Sequence, residues 1–293
     1  MPRPSPTVRR RRLGQELRSL REGAGLTVEA VAKELDWSPS KVSRIETTAI
    51  KVGTVDLRAL LDVYGVTDPD RRGGMLELGR ESRETAWWMR VNDRTPIRSF
   101  RDFVGFEAEA RRIRTYEPTI VPGLLQTEDY ARAILKAFER VFQSTDVDLD
   151  EALKLRQTRQ EILTRAEEPV EYVAIVDEAA LRRPAGGKKR AEVMRGQIDR
   201  LLELNNRTNI TIRVLPFEHG LHPGMNGAFT VVDLPHKDDP NVVYLEVVNE
   251  GVLLNDAESV RFYGRVFDGV QQEALGRDFS ERLLLDVRDS YGS

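Results

Sequence analysis

The stretch Leu26-Thr-Val-Glu-Ala-Val-Ala-Lys-Glu-Leu-Asp-Trp-Ser-Pro-Ser-Lys-Val-Ser-Arg-Ile-Glu46 spells two short helices joined by a tight turn. Thr27 is placed to cap the first helix, and Glu29 sits in its first turn, where negative charge suits the helix dipole. Val31 and Leu35 lie four apart on one face, and Ala32 is small enough to let a second helix approach closely. Asp36 falls where the chain must turn. That place is usually given to Gly, but Asp tolerates the left-handed conformation better than most residues. Ser38 then caps a second helix with Pro39 at its first position, where the missing amide donor costs nothing. Val42 and Ile45 point inward, which leaves Ser40, Lys41, Ser43 and Arg44 outward.

This arrangement is a helix-turn-helix, and its outward residues would face the major groove of double-stranded DNA. The candidate contacts are Thr27, Ser38, Pro39, Ser40, Lys41, Ser43 and Arg44. Ser38 and Pro39 are expected chiefly to cap, whereas Arg44 has the chemistry for a bidentate pair with guanine, worth about 1–3 kcal/mol of discrimination. Whether Arg44 reads a base or holds a phosphate stays open at the level of sequence.

Charge supports the same partner once it is located along the chain. The 293 residues carry a net −3, but residues 1–66 hold twelve Lys and Arg against eight Asp and Glu, a net +4 that leaves −7 for the rest. Arg9, Arg10, Arg11 and Arg12 concentrate four positive charges just before the expected first helix, a placement suited to phosphate contact and counterion release. There is no Cys, so disulfides and thiolate metal sites are excluded and a reducing cytoplasm is expected. The first residues are Pro- and Arg-rich without an apolar run, and no stretch approaches the roughly 18–20 apolar residues of a membrane span. The expected location is therefore cytoplasmic, on the nucleoid.

Residues about 9–66 resemble the lambda-repressor-like, or XRE-family, DNA-binding domain. The matching residues are Leu13, Leu17 and Leu20, then Gly25-Leu26-Thr27, Ser40-Lys-Val-Ser-Arg-Ile-Glu46, and Leu57-Arg-Ala-Leu-Leu-Asp-Val-Tyr64 closed by Gly65-Val66. Two positions depart from the family pattern. Val28 replaces the Gln that often opens the second helix on a phosphate, and Pro39 offers only apolar contact, which shifts base reading to Ser40, Lys41 and Arg44.

The spacing beyond residue 66 predicts a helix opened by Asp68-Pro69 and running through Leu76 and Leu78 toward Trp87-Trp88, then a polar loop over Val91–Pro96. We therefore expect a disordered arm at 1–8, the DNA-binding domain at 9–66, a connecting helix and linker at 67–96, and a second domain at 97–293. In that second domain, helix formers at Glu107–Arg112 are followed by a Pro-rich break over Thr115–Gly123. Helices are expected at Glu128–Phe142, Leu149–Ala166, Lys189–Leu204, Asp256–Val270 and Asp278–Val287. Strands are expected at Glu171–Val176, Ile210–Leu215, Ala228–Asp233 and Val242–Val247. The fold class is thus a mainly α helix-turn-helix domain followed by an α+β domain, in which a small mixed sheet is flanked by helices.

Tyr116-Glu-Pro-Thr-Ile-Val-Pro-Gly-Leu-Leu-Gln-Thr-Glu-Asp-Tyr130, Asp177-Glu-Ala-Ala-Leu-Arg-Arg-Pro184 and His222-Pro-Gly-Met-Asn-Gly-Ala-Phe229 resemble the domain designated DUF5753, which typically follows an XRE domain in regulators of actinobacteria. The resemblance implies a transcriptional regulator often paired with a small DUF397-type protein, in an arrangement likened to a toxin and its antitoxin.

Enzymatic alternatives find little support. No His-Glu-x-x-His occurs among the three histidines, His219, His222 and His236. Glu218-His219-Gly-Leu-His222 is the best metal candidate, but it lies in a Gly/Pro-rich loop without a helical i, i+4 pair, and a structured turn is the preferred reading. There is no Gly-x-Ser-x-Gly elbow, and Gly186-Gly187-Lys188 lacks the spacing of a phosphate loop. Asp177 and Glu178, close to Arg182 and Arg183, are expected to form an ion-pair network rather than an acid and base. The loop Leu221-His-Pro-Gly-Met-Asn-Gly227 is expected to line a partner or effector surface through His222, Met225 and Asn226. No enzyme activity, cofactor or metal is expected. The expected partners are operator DNA read as a homodimer, with half-sites about 10–10.5 base pairs apart or a multiple of that, and the small protein.

Overall fold

The computed structural model describes residues 6–84, 98–142, 149–236, 239, 241–247 and 250–292. The chain divides into two units, residues 1–90 with 236–240 and residues 91–235 with 241–293. The helix expected from Asp68-Pro69 ends at Glu81, while Trp87-Trp88 and the expected loop over 91–96 fall outside the described residues.

Among the described residues the first unit is built of five helices: α1 (Pro6–Gly23), α2 (Val28–Glu34), α3 (Pro39–Glu46), α4 (Thr54–Val63) and α5 (Pro69–Glu81). Its core joins Leu13 and Leu17 of α1, Val31 and Ala32 of α2, Val42 and Ile45 of α3, and Leu57, Leu60 and Leu61 of α4. Each fully buried Leu, Val or Ile contributes about 1.5–3 kcal/mol of hydrophobic stabilisation, so the exposed α2 and α3 surfaces rest on a firm base.

Two expectations change here. The first helix begins at Pro6, so residues 6–8 are helical rather than part of a disordered arm, and Arg9, Arg10, Arg11 and Arg12 lie within α1 instead of preceding it. Pro6 starts the helix at low cost because its fixed φ and missing donor suit a first turn. The helix expected to connect the domains is the fifth member of the bundle: Met75 of α5 is buried in the same core, with Leu76 and Leu78 packed against it. Asp68 caps α5 by accepting from the Arg71 amide at 2.7 Å.

In the second unit, α6 (Arg98–Glu109) leads into a six-stranded sheet. Its strands are β1 (Arg112–Glu117), β2 (Glu171–Asp177), β3 (Ile210–Leu215), β4 (Phe229–Asp233), β5 (Val242–Val247) and β6 (Glu250–Leu254), ordered β3-β2-β1-β4-β5-β6. β1, β2 and β3 pair in parallel, and β4, β5 and β6 continue from β1 antiparallel. The parallel crossovers carry α7 (Glu128–Phe142) and α8 (Leu149–Gln160) between β1 and β2, then α9 (Glu178–Arg182) and α10 (Arg190–Asn205) between β2 and β3. Two last helices, α11 (Ala257–Glu273) and α12 (Arg277–Ser290), follow the sheet.

The four expected strands are present, and β1 and β6 are additions. β1 occupies a middle position, although its sequence continues from a run of helix formers and ends at a proline. α8 stops at Gln160, short of the expected Ala166, and a 3-10 turn over Glu161–Leu163 follows. One sheet face packs Tyr116, Val173, Ile175, Phe229, Val231 and Val243 against Phe267 and Val270 of α11. The other face, which carries Thr115, Glu117, Tyr244 and Glu246, is polar over much of β1 and β5.

Candidate DNA-binding surface

Helix α3 is set by local chemistry. The Ser38 hydroxyl accepts from the Lys41 amide at 3.2 Å, and Pro39 takes the first helical position. Thr27 caps α2 in the same way, accepting from the Ala30 amide at 3.1 Å. Asp36 adopts φ 53°, the left-handed turn conformation read from the sequence. Ser38, Pro39, Ser40, Ser43 and Arg44 are exposed along one side of α3, while Val42 and Ile45 are buried on the other.

Lys41 departs from that pattern. Its ammonium sits 3.5 Å over the Trp37 ring and 3.0 Å from Asp56, so a carboxylate and an aromatic face already hold it. Arg44 therefore carries the exposed positive charge of α3.

The four N-terminal arginines also depart from expectation, because they do not form a free basic run. Helical residues turn by about 100° each, so Arg9, Arg10, Arg11 and Arg12 fan out around α1 instead of presenting one cationic face. Arg9 meets Glu81 at 3.3 Å and Asp239 at 3.0 Å, and Arg12 meets Asp239 at 3.3 Å, all carboxylates of their own unit. Arg10 and Arg11 are half-buried, and their Nε atoms are closed off from solvent. Both are already engaged within the chain. The early start of α1 makes Arg10 and Arg11 parts of a packed helix, with only part of each side chain accessible.

The C-terminal end of α3 is fixed by a network that sequence reasoning missed. Glu46 takes a two-pronged pair from Arg21, at 2.7 and 3.0 Å, and the Tyr64 hydroxyl donates to it at 3.5 Å. Arg21 also donates to the Leu26 carbonyl at 2.9 Å, which binds the α1–α2 connection to the same point. The Glu46 hydrogen bonds hold the Arg21 guanidinium above its usual pKa, and burial, followed by the Glu46 charge, raises the Tyr64 phenol. Only an Arg at the end of α1 and a Glu at the end of α3 hinted at this pair, and they are far apart in sequence. Gly14 lets α1 lie against this end of α3: a Cβ there would stand 2.5 Å from the Glu46 carbonyl oxygen.

In the second unit, the loop following β3 presents Phe217, Leu221 at 86 % exposure and Met225 at 60 %. Asn226 is exposed beside them. His222 does not join this surface, because its side chain is only 4 % exposed. Its Nδ1 accepts from the Gly224 amide at 3.2 Å, so the neutral ring carries its proton on Nε2, which faces the Tyr116 hydroxyl at 3.4 Å. Burial lowers the His222 pKa, consistent with a neutral ring. Gly224 permits this fold-back, since a Cβ there would stand 2.6 Å from the Tyr116 ring.

His219 pairs instead with Glu273 at 2.9 Å, and among the described residues no group of three or more His, Asp or Glu is placed to hold a metal ion. The Asp177–Glu178 pair divides its roles. Asp177 caps α9 through the Ala179 amide at 2.8 Å, while Glu178 binds Arg182 at 2.5 Å and accepts from the Phe217 amide at 2.8 Å. Arg183 lies outside that network and donates to the Thr119 carbonyl at 3.2 Å.

A five-helix unit with a capped, exposed α3 defines a helix-turn-helix protein, and residues 12–73 match the model described as "Helix-turn-helix domain". Residues 100–286 match "Domain of unknown function (DUF5753)", and since that match covers more than half of the chain, the chain belongs to the DUF5753 family. No curated protein and no solved structure gives a significant match. Among the described residues, no helix is long and apolar enough to cross a membrane.

Proposed function

We propose that the protein is a sequence-specific, XRE-type transcriptional regulator that reads operator DNA through α3 as a homodimer. The observation that carries this reading is the exposed row Ser40, Ser43 and Arg44 on a helix held at both ends, by the Ser38–Pro39 cap and by the Arg21–Glu46 pair. Arg44 is assigned to a base edge. Ser38, Pro39, Ser40, Ser43 and Thr27 are assigned to the sugar-phosphate backbone and groove wall. Arg9, Arg10, Arg11 and Arg12 are assigned to phosphates, each giving up interactions it already makes within the chain. Lys41 joins only if DNA phosphate displaces Asp56 as its partner. The protein would act in the cytoplasm, on the nucleoid, without enzymatic activity.

The second unit would provide dimerisation and a docking surface for a small DUF397-type protein or effector. A protein that controls DNA access by binding a partner needs only a different affinity of that partner for two conformations. Exposed Leu221, Met225 and Asn226 support the docking role, and the same exposed loop favours a second reading. In it the chain is an antitoxin-like module that chiefly sequesters the small protein, with DNA binding secondary.

Fluorescence anisotropy with the promoter DNA of the protein's own gene, against a scrambled duplex, separates the two. The regulator reading expects the promoter to bind at least roughly a thousandfold more tightly at physiological salt. Equal affinities, near the roughly 10⁻⁴–10⁻⁶ M of non-specific binding, would move the assignment to sequestration.

A further inference from the structure

The polar face of the sheet carries an arrangement that neither DNA contact nor the exposed loop uses. The register pairs Thr115 of β1 with Thr230 of β4, and Thr230 with Tyr244 of β5, in one row across the sheet. The two threonine hydroxyls meet at 3.2 Å. Side chains return to the same face every second residue, so the next row holds Glu117 on β1 and Glu246 on β5. Continuing the register one residue beyond Phe229 puts Ala228 between them. Two carboxylates thus flank a methyl group, with their backbones about 10 Å apart. Two acids border one strip of this face, Glu117 half-buried and Glu246 exposed.

Helix α8 brings a cation to this face. Arg159 is answered by Glu107 of α6, at 2.7 and 2.8 Å. Arg156, one turn earlier, has no carboxylate within ion-pair distance among the described residues; it donates only to the Gln126 amide oxygen at 3.2 Å. Its helix neighbour Arg159 lies 5.7 Å over the Phe103 ring, which stacks on Tyr244 at 4.2 Å, so α8 is set over this face. Burial, and then the neighbouring Arg159, lower the Arg156 pKa, as expected of a cation short of an anion.

Tyr244 is 3 % exposed, and among the described residues its hydroxyl has no hydrogen-bond partner, although the Glu246 charge acts on it. A buried hydroxyl without a partner is costly and calls for an explanation. Glu117 has no partner among the described residues either. Burial, reinforced by Glu246, pushes its carboxyl up to about 8, yet the residue keeps part of its surface accessible. Strong desolvation together with retained access is what the wall of a recess gives.

We propose that this recess binds a small organic zwitterion, a molecule carrying an ammonium and a carboxylate. The ammonium lies over Ala228 between Glu117 and Glu246, and the carboxylate is taken by Arg156 and the Tyr244 hydroxyl. Glu246, together with Glu117, which gives its proton to solvent as the ammonium docks, answers one charge of such a molecule, and the Arg156 guanidinium with the Tyr244 donor answers the other. A simple amine or a simple acid would leave half of the recess unanswered. The small Ala228 side chain sets the clearance under the ammonium. The site stands apart from the DNA-binding reading, because a chain that bound no operator would still bind the zwitterion.

The test is titration calorimetry of the full chain with the common L-amino acids and with ω-amino acids from β-alanine to ε-aminocaproate, each up to about 10 mM. Propylamine and propionate serve as single-charge controls. We expect at least one amino acid to bind one to one, and the controls to bind at least roughly tenfold more weakly. Glu117→Gln, Arg156→Gln and Ala228→Leu should each lose at least roughly tenfold, while Lys188→Ala binds as the wild type does. Circular dichroism establishes that each variant is folded, and if Arg156→Gln is not, Glu117→Gln and Ala228→Leu decide. Absence of binding by every amino acid, equal binding of the amine alone, or undiminished binding by folded variants would each overturn the proposal.

Discussion

Arg21 and Glu46 meet as a two-pronged ion pair, Nε to Oε1 at 2.7 Å and Nη2 to Oε2 at 3.0 Å, joining the end of α1 to the end of α3. Both side chains are nearly buried, so removing one leaves the other poorly solvated. Arg21→Ala should cost about 2 kcal/mol in urea unfolding and also weaken DNA binding by loosening α3. The double change Arg21→Met with Glu46→Leu should recover much of the stability, because apolar replacements remove the need for a partner. A double variant no more stable than Arg21→Ala would contradict this account of the pair.

At Gly14 the backbone of α3 leaves no room for a methyl group. Gly14→Ala places carbon 2.5 Å from the Glu46 carbonyl oxygen and 2.7 Å from the Thr48 methyl. Since helix backbones must then part, the variant should lose about 1–3 kcal/mol. Gly73→Ala, inside α5 with nothing within 4 Å, should instead gain about 0.5–1 kcal/mol. Thermal melts of the two variants should move in opposite directions.

The helix-turn-helix was legible because its signals are local. The Thr27 and Ser38 caps, Pro39 and the left-handed Asp36 each depend on neighbours within a few residues. What sequence missed depends on residues far apart. Arg21 and Glu46 become partners only when α1 and α3 pack. Arg9, Arg10, Arg11 and Arg12 read as a loose basic run, and only the start of α1 at Pro6 distributes them around a packed helix. β1 reads as Arg112-Ile-Arg-Thr-Tyr-Glu117, three charged residues among six after a helical run, and becomes a middle strand only because β2 and β4 flank it. The membership of α5 in the first unit rests on Met75 finding a core that the connecting-helix expectation did not anticipate. For His222 the loop was recognised but the direction of the ring was not: Tyr116 and the Gly224 amide draw it inward.

Two groups should shape the dependence of stability on pH, from opposite sides. Glu117, raised to about 8 by burial and by Glu246, keeps in the native state a proton that the unfolded carboxyl releases near 4.5. Stability therefore falls as pH rises between these values and levels off above them. His222, lowered below 6.5 by burial, stays neutral in the native state while the unfolded chain takes up a proton, so acidification below that value also destabilises. Glu117→Gln should gain more on the wild type at about pH 8 than at about pH 5 in urea unfolding. An equal gain at both would contradict the raised carboxyl.

The exposed loop should matter for partners and not for folding. Leu221→Ser with Met225→Ser removes two exposed apolar side chains, so urea midpoints should hardly move. Under the docking proposal, pull-down of a DUF397-type protein by the full chain should fall at least roughly tenfold. His222→Ala should act the other way round, costing about 1–2 kcal/mol of stability by removing the partner of the Gly224 amide.

Selection from a randomised duplex pool at physiological salt, with wild-type protein and Arg44→Ala run side by side, reaches the central claim most directly. The account predicts that the wild type enriches a two-fold-related motif, with half-sites about 10–10.5 base pairs apart or a multiple of that. Arg44→Ala should enrich the same motif with one position per half-site relaxed, at a cost of about 1–3 kcal/mol there. Failure of the wild type to enrich any motif, while it still binds DNA uniformly, would contradict the claim that α3 reads sequence.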